Sequence, residues 1–447
     1  MLDPAKPTAL DLTDFSTYIN SCLELANQRL ADFAEVDQVA QAEDELNKYP
    51  RLESLQDPRG ILVLDQESVS EADRERAARV LLEGGVLLEH TCAGEATRLG
   101  LGTKYTINPR LDLSPEVLSR LLGEDYQVPV DPQTLRPLTL GRRHMLQLAW
   151  DLSRLSQEAG VDPARTLARQ RLLVIVNQAT WQNIVEDFLE ARFYGFSRPN
   201  VFFMVQQSFH GISRGEGGWF YDTASARRLH NHGQMLLQTT MDNQIFRLDQ
   251  GGRPSHLTWA EYRQVLEEFD DKVSFNIEDL DYLEQSLDLL GLAAALKLGE
   301  EGQRMVMEVV ANNPENPQKG GLCAWDPELG RNVMIESFQL AGMDNAQITY
   351  LNKNINHYPR PVTALTQAHE QGLSMPLAVK QGCVYFQPVQ GDLNFLVPTA
   401  FVRRAQLKPI SAWKSGKNTP AALEAMARQE NRPGFLEWAR ELTGLDL

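Results

Sequence analysis

A chain of 447 residues that is 43% hydrophobic and 23% charged has the make-up of a globular protein, with material for two or three structural units. Its formal net charge of -17 excludes broad binding to nucleic acid or to an anionic membrane, which needs a basic surface, but leaves room for a local basic pocket. Cys22, Cys92, Cys323 and Cys383 are too dispersed for a disulfide framework and form no CxxC pair, which points to a reducing compartment. Met1-Leu-Asp-Pro-Ala-Lys lacks a basic-then-apolar signal pattern, and no run of about 18 apolar residues occurs, so a cytoplasmic protein is expected.

Residues 1–80 read as a helical N-terminal region, a candidate for packing or assembly. Helix is predicted within Asp14 to Asn47 and over Ser68 to Arg79, with a short strand at Gly60-Ile-Leu-Val-Leu between them. From residue 85 strands and helices alternate. Val86 to Leu88, Leu172 to Val176 and Val201 to Val205 are continuous apolar runs, as in strands buried on both faces. Helices are predicted over Arg142 to Ala159 and Thr180 to Tyr194. Lys272 to Leu280 reads as a strand ending in carboxylates, followed by a helix from Asp281 to Leu298. Met305 to Val310 and Val333 to Ser337 read as two more strands. The alternation implies a mainly parallel α/β core over 81–355, with a smaller C-terminal α+β domain over 356–447 that ends in helices near Thr419 and Pro433.

In such sheets ligands lie beyond the carboxyl ends of the strands. Three loops fall there. The segment 92–104 carries small residues (Ala93, Gly94, Ala96), then Thr97, Arg98, Gly100, Gly102 and Lys104, a composition suited to holding phosphate with backbone N–H groups and two cations. Asn177-Gln178 and Gln206-Gln207 close the next two strands. Glu278 and Asp279 end the fourth, where they suit either a hard divalent cation or the start of a helix. His230 and His232 lack a third ligand at zinc spacing.

These pieces, in this order, resemble the family of UTP–glucose-1-phosphate uridylyltransferases and UDP-N-acetylhexosamine pyrophosphorylases. Ala93-Gly-Glu-Ala-Thr-Arg-Leu-Gly100 is similar to the family's Gly-Gly-x-Gly-Thr-Arg-Leu-Gly loop, and Lys104 to its Pro-Lys lysine. Val176-Asn-Gln resembles Met-Asn-Ser, Val201 to Gln207 the uracil-side strand, and Asn231-His-Gly233 the family's Gly-His-Gly. Asn276-Ile-Glu-Asp-Leu280 resembles the metal-binding strand end. Met307-Glu-Val-Val-Ala-Asn, Lys319-Gly-Gly, Glu336 and Asn352-Lys-Asn-Ile-Asn-His-Tyr358 complete the set, which spans roughly residues 85 to 415. The departures are Ala93, Ala96 and Asn231 for glycines, Glu278 for aspartate, and Ser411 for a lysine, with Lys408 and Lys414 on either side.

The resemblance implies a Rossmann-like nucleotidyltransferase core and an Mg²⁺-dependent transfer of uridylyl from UTP to a hexose 1-phosphate, glucose 1-phosphate or N-acetylhexosamine 1-phosphate. Arg98 and Lys104 would carry the electrostatic catalysis. Ala93, Gly94, Thr97, Gln206, Gln207, Asn231, His232 and Gly233 would bind the nucleotide. Gly321, Glu336 and Asn354 would contact the sugar, and Glu278 with Asp279 the metal. The attacking phosphate is already an anion, so no general base is required. Two other readings stay open: a UDP-sugar or UTP binder without turnover, and a glycosyltransferase using a similar core.

Overall fold

The structure, a computed structural model, describes residues 8–65, 67–229, 232–313, 315, 317, 320–405 and 412–447. Its centre is four parallel strands in the spatial order Asp271–Asn276, Val86–Thr91, Arg171–Asn177 and Val201–Gln206, within a twelve-stranded sheet. The continuous apolar runs follow from burial on both faces. Val86, Leu88, Leu172, Val174 and Phe203 face one core with helix Leu140–Glu158. Leu87, Leu173, Ile175, Phe202 and Met204 face another with Tyr262, Leu266 and Leu365.

Beyond Asp271–Asn276 the sheet turns mixed. Tyr350–His357 runs antiparallel to both Asp271–Asn276 and Met305–Ala311, whereas Thr399–Arg404 is parallel to Met305–Ala311. Leu62–Leu64 adds an outer parallel strand to Thr399–Arg404, so the N-terminal region contributes directly to the main sheet. The hairpin Leu322–Asp326/Arg331–Ile335 joins through the Leu322–Leu351 pair. On the opposite side Ile245–Leu248 pairs antiparallel with Val201–Gln206. A separate four-stranded sheet, Leu377–Lys380, Cys383–Phe386, Ile212–Gly215 and Gly218–Tyr221, packs against helices Phe15–Arg29 and Val36–Asn47.

Several predicted elements are redrawn by local chemistry. The segment 14–47 forms two helices, the first opened by an Asp14 capping box. The helix from Thr180 stops at Glu190, because Arg192, Phe193 and Tyr194 take left-handed φ of 49–55° and make a tight turn. Burial of Phe193 and Tyr194, with a hydrogen bond from the Tyr194 hydroxyl to Asp187, holds that conformation. The helix predicted over Asp281 to Leu298 is a short 3₁₀ turn, Asp281–Leu283, and a helix Leu289–Glu300. Asp288 starts the latter by accepting the Gly291 N–H at 3.0 Å. The C-terminal helices are Thr419–Glu430 and Phe435–Thr443, and Arg143, buried on helix Leu140–Glu158, pairs with Glu430 at 2.6 Å.

Charged side chains inside the sheet are paired. Glu89 and Lys272, on adjacent strands, lie 2.9 Å apart, and the Lys272 ammonium sits 4.6 Å from the centre of the Tyr358 ring. Glu308 takes Lys353 at 2.7 Å and Arg404 at 3.0 Å, and Arg404 also holds Asp288. Among the described residues no helix is long and apolar enough to cross a membrane.

Three buried rings meet in the core: His144 stacks on the face of Tyr282, with ring centres 4.5 Å apart, and His90 meets Tyr282 edge-on, its Nε2 hydrogen-bonded to the Tyr282 hydroxyl at 2.8 Å. Burial holds His90 down to about 4 from its ordinary 6.5. His144 is depressed well below the same value, by burial first and by the His90 charge second. Both imidazoles are therefore neutral in the fold, while the unfolded chain protonates them near their ordinary value. Stability is complete above that value and drains as pH falls towards about 4, by about 3 kcal/mol for His90 alone. The His144→Phe variant keeps the stack and removes two buried nitrogens that have no hydrogen-bond partner. Urea unfolding should show a smaller loss of midpoint between pH 6.5 and 5 than the wild type; an equal loss would refute this account.

Candidate functional site

The four central strands end in two tiers, two residues apart. Thr91 is in register with Ile175 and Asn276, and Asn177 with Gln206. The chain leaves the first strand through the 92–104 loop, which folds back so that Ala96 N–H donates to Gly102 O at 2.6 Å and Lys104 N–H to Gly94 O at 3.0 Å. Gly100 and Gly102 take φ of 64° and 78°, where a side chain would be strained. Asn177 staples this loop. Its Nδ2 donates to Ala93 O at 3.1 Å and to Thr103 Oγ1 at 2.8 Å, and its Oδ1 accepts from the N–H groups of Ala179 and Thr180. One buried amide thereby fixes both ends of the loop and the start of the following helix.

Ala93 and Ala96 are each 2% exposed and belong to the two cores on either side of the sheet. Their methyl groups pack inward, and the exposed positions between and after them are Gly94, Glu95, Thr97 and Arg98. Thr97 and Arg98 are exposed at its tip. Gly94 lies against the Lys104 side chain; a Cβ there would stand 3.7 Å from Nζ.

Lys104 turns to the end of the fourth strand and pairs with Glu278 Oε2, while Lys414 takes Glu278 Oε1 at 3.3 Å. Lys104 is held in place by its neighbour: the buried Tyr105 hydroxyl donates to Asp187 at 2.7 Å. Lys414 is held by a β-bridge between Asp279 and Ala412 and by Trp413 N–H donating to Glu278 O at 2.8 Å, with the Trp413 ring 1% exposed. Burial, then the charges of Lys414 and Arg98, bring the Lys104 ammonium down to about 8. Lys104 and Lys414 thus share one carboxylate, with Arg98 within electrostatic reach of Lys104. Beside them, burial and the neighbouring Asp281 push Asp279 up to about 6, and Asp279 Oδ1 accepts the Asp281 N–H at 3.1 Å. Among the described residues no group of three His, Cys, Asp or Glu forms a ready-made metal cage.

On the far side of the loop, Gln206 is buried and Gln207 N–H donates to Gln238 Oε1 at 3.2 Å. His232 opens the helix His232–Gln238 within electrostatic reach of Lys414, Glu89 and Lys104. The glycine at 233 has a packing reason: a Cβ there would stand 2.5 Å from the 388–389 backbone, and its N–H donates to Pro388 O at 3.1 Å.

The sugar-side residues gather separately. The Glu336 carboxyl lies between two glycines; a Cβ would stand 3.4 Å from its Oε2 at Gly321 and 2.8 Å from its Oε1 at Gly391. Burial raises its pKa, against a hydrogen bond from Asn352. Tyr350–His357 carries two extra residues opposite Met307–Val309, a bulge that places the Asn354 backbone at the break in the ladder. The side chain of Asn354, and all of His230, Asn231, Lys319, Lys408 and Ser411, lie outside the described residues. The segment 388–394 touches both halves, Gly233 through Pro388 and Glu336 through Gly391, and carries the buried Asp392, which accepts from the Ser374 hydroxyl. Sequence reasoning passed over this segment; its only local signal is the Pro388-to-Gly391 punctuation.

No protein-family model matches the chain, and no curated protein matches it. Solved structures do, and they define the class of fold as that of the UDP-sugar pyrophosphorylases, a mixed α/β architecture around a large central sheet. The uridine diphosphate N-acetylglucosamine pyrophosphorylase of Trypanosoma brucei, solved with an inhibitor, is similar with a TM-score of 0.58 at 13% identity, over 95% of this chain and 83% of that one. A point mutant of the UDP-glucose pyrophosphorylase of Leishmania major gives 0.54 at 14% identity, over 90% and 78%. Another mutant of that enzyme, in complex with UDP-glucose, gives 0.52 at 13% identity, over 89% and 77%.

The staple is directly testable. Asn177→Ala leaves Ala93 O and the Thr103 hydroxyl without their buried donor, at a cost of about 1–3 kcal/mol. Limited trypsinolysis should cut the variant faster after Arg98 and Lys104 than the wild type, and unchanged cleavage would exclude the stapling role.

Proposed function

We propose that the chain is a uridylyltransferase that joins UTP and a hexose 1-phosphate into a UDP-sugar and pyrophosphate. The observation that carries this reading is the pair Lys104 and Lys414 on Glu278 beyond the strand ends, with Arg98 within electrostatic reach of Lys104, in a chain whose net charge is -17. Cations gathered there against the overall charge suit a polyphosphate. The fold it sits in is shared with enzymes named for UDP-sugars.

In this reading the 92–104 backbone and Thr97 receive the triphosphate, and Arg98, Lys104 and Lys414 neutralise the α-phosphorus and the leaving pyrophosphate. Gln206 and Gln207 offer amides to the uracil edge, each with a donor and an acceptor. Asn231, His232 and Gly233 complete the nucleotide side. Glu336, flanked by Gly321 and Gly391, accepts from sugar hydroxyls, with Asn354 beside it. The sugar phosphate attacks in line as an anion that is already formed, so positioning and charge do the work.

The residues at the strand end fit a magnesium ion: Glu278 and Asp279 are hard oxygen donors, and the raised Asp279 carboxyl reflects buried negative charge that a cation would relieve. Two carboxylates rather than a cage match an ion that also takes its ligands from substrate phosphates. When bound, magnesium supplies further charge neutralisation at the phosphates. The chain is proposed to act in the cytoplasm.

The test is pyrophosphate release from UTP with a panel of sugar 1-phosphates. Turnover is expected with at least one hexose phosphate, and Lys104→Met should lower it by about 100-fold or more. Measurable UTP binding without pyrophosphate from any sugar would sink the enzyme and leave a nucleotide-binding protein; release of free UDP from a UDP-sugar would instead indicate a glycosyltransferase.

A further inference from the structure

Glu278 stands where a metal ligand is expected, yet ammonium groups hold both of its oxygens: Lys104 on Oε2 and Lys414 on Oε1. Two ammonium groups and a divalent cation on one carboxylate would repel one another strongly in so enclosed a place, where the Lys104 and Glu278 side chains are 14% and 18% exposed. Glutamate is one methylene longer than aspartate, which extends its reach to lysines from two distant segments. Lys104 is anchored through Tyr105, whereas the Lys414 side chain is 50% exposed and free to swing from an anchored backbone.

We propose that Glu278 is an exchangeable counter-ion: without nucleotide it holds Lys104 and Lys414, and when a nucleoside triphosphate binds, both ammonium groups move to phosphate oxygens and release the carboxylate to a divalent cation. This rests on the reading of the site as a uridylyltransferase centre. It makes Glu278 a positioning residue for two lysines in one state and a cation ligand in the other, so divalent-metal affinity at Glu278 depends on the nucleotide. It also gives Lys414 a defined task. From a position three residues beyond Ser411, it competes with the metal when the site is empty and binds phosphate when the site is filled.

The experiment is Mn²⁺ titration of the full chain followed by the EPR signal of free Mn²⁺, with and without the α,β-methylene analogue of UTP. Without nucleotide, wild type and Glu278→Gln should bind Mn²⁺ equally weakly. With the analogue, wild type should bind about tenfold tighter than Glu278→Gln. Lys414→Met alters a half-exposed side chain and removes one competitor, so without nucleotide it should bind Mn²⁺ several-fold tighter than wild type. The proposal is overturned if nucleotide-free wild type already binds Mn²⁺ about tenfold tighter than Glu278→Gln, or if Lys414→Met leaves nucleotide-free affinity unchanged. Failure of the uridylyltransferase reading shows elsewhere, as absence of UTP-analogue binding by wild type in calorimetry. The nucleotide-free comparison of Lys414→Met with wild type then still decides the counter-ion role.

Discussion

Everything at the candidate site depends on parallel strands that end in register. Thr91 and Asn276 close two neighbouring strands at one level, Asn177 and Gln206 close the next two at a level two residues further on, and the chain leaves all four at the same end of the sheet. Side chains alternate between faces along a strand, so a slip of one residue in Arg171–Asn177 would exchange the residues facing its two cores and pull Asn177 away from Ala93 and Thr103. The apolar residues that bury this sheet on both faces are therefore also what aligns its polar ends. Core packing and site geometry share one constraint.

Charge is distributed on two different principles. Inside the sheet it is balanced: Glu89 with Lys272, and Glu308 and Asp288 with Lys353 and Arg404. Burying an unpaired charge there would cost several kcal/mol, and pairing removes that cost without adding much stability. At the strand ends the balance gives way to crowding: Lys104 and Lys414 share Glu278, Arg98 adds its charge beside Lys104, and burial and Asp281 favour the neutral form of Asp279. A fold gains nothing in stability from gathering like charges. Such crowding is expected where an anion completes the set.

What was legible in the sequence was local. The continuous runs 172–176 and 201–205 announced doubly buried strands, and small residues with two cations marked the 92–104 loop, because both signals lie within a few residues of each other. Boundaries moved where a single side chain or backbone torsion intervened, as with the Asp288 cap and the left-handed turn at Arg192 to Tyr194. Long-range placement was not legible. Nothing near Tyr350–His357 announces that it lies antiparallel between two strands that continue the parallel order, nor does Leu62–Leu64 show that it joins a strand more than 300 residues later. In the site the same division holds. Asn177 was visible as a strand end but not as the staple, and Gly391 reaches Glu336 only through the tertiary fold. Gly233 read as a ligand contact, and the fold adds a second reason for a glycine there, the close approach of the 388–389 backbone.

The departures from the resembled family acquire a physical meaning in this setting. An alanine in a phosphate loop is disruptive when its methyl group points at the ligand. Here both methyl groups point into hydrophobic cores, where about 0.8 kcal/mol per buried carbon favours them. The lysine absent at position 411 is matched by Lys414, which the Asp279–Ala412 bridge and the buried Trp413 bring to the same carboxylate as Lys104. A chain losing a phosphate site would be expected to lose its cations, since unpaired positive charge at an unused cleft is only a cost. This one keeps three and anchors the segment that delivers the third. Under the proposed function, the pattern is that of a phosphate site rebuilt from different residues under the same electrostatic requirement.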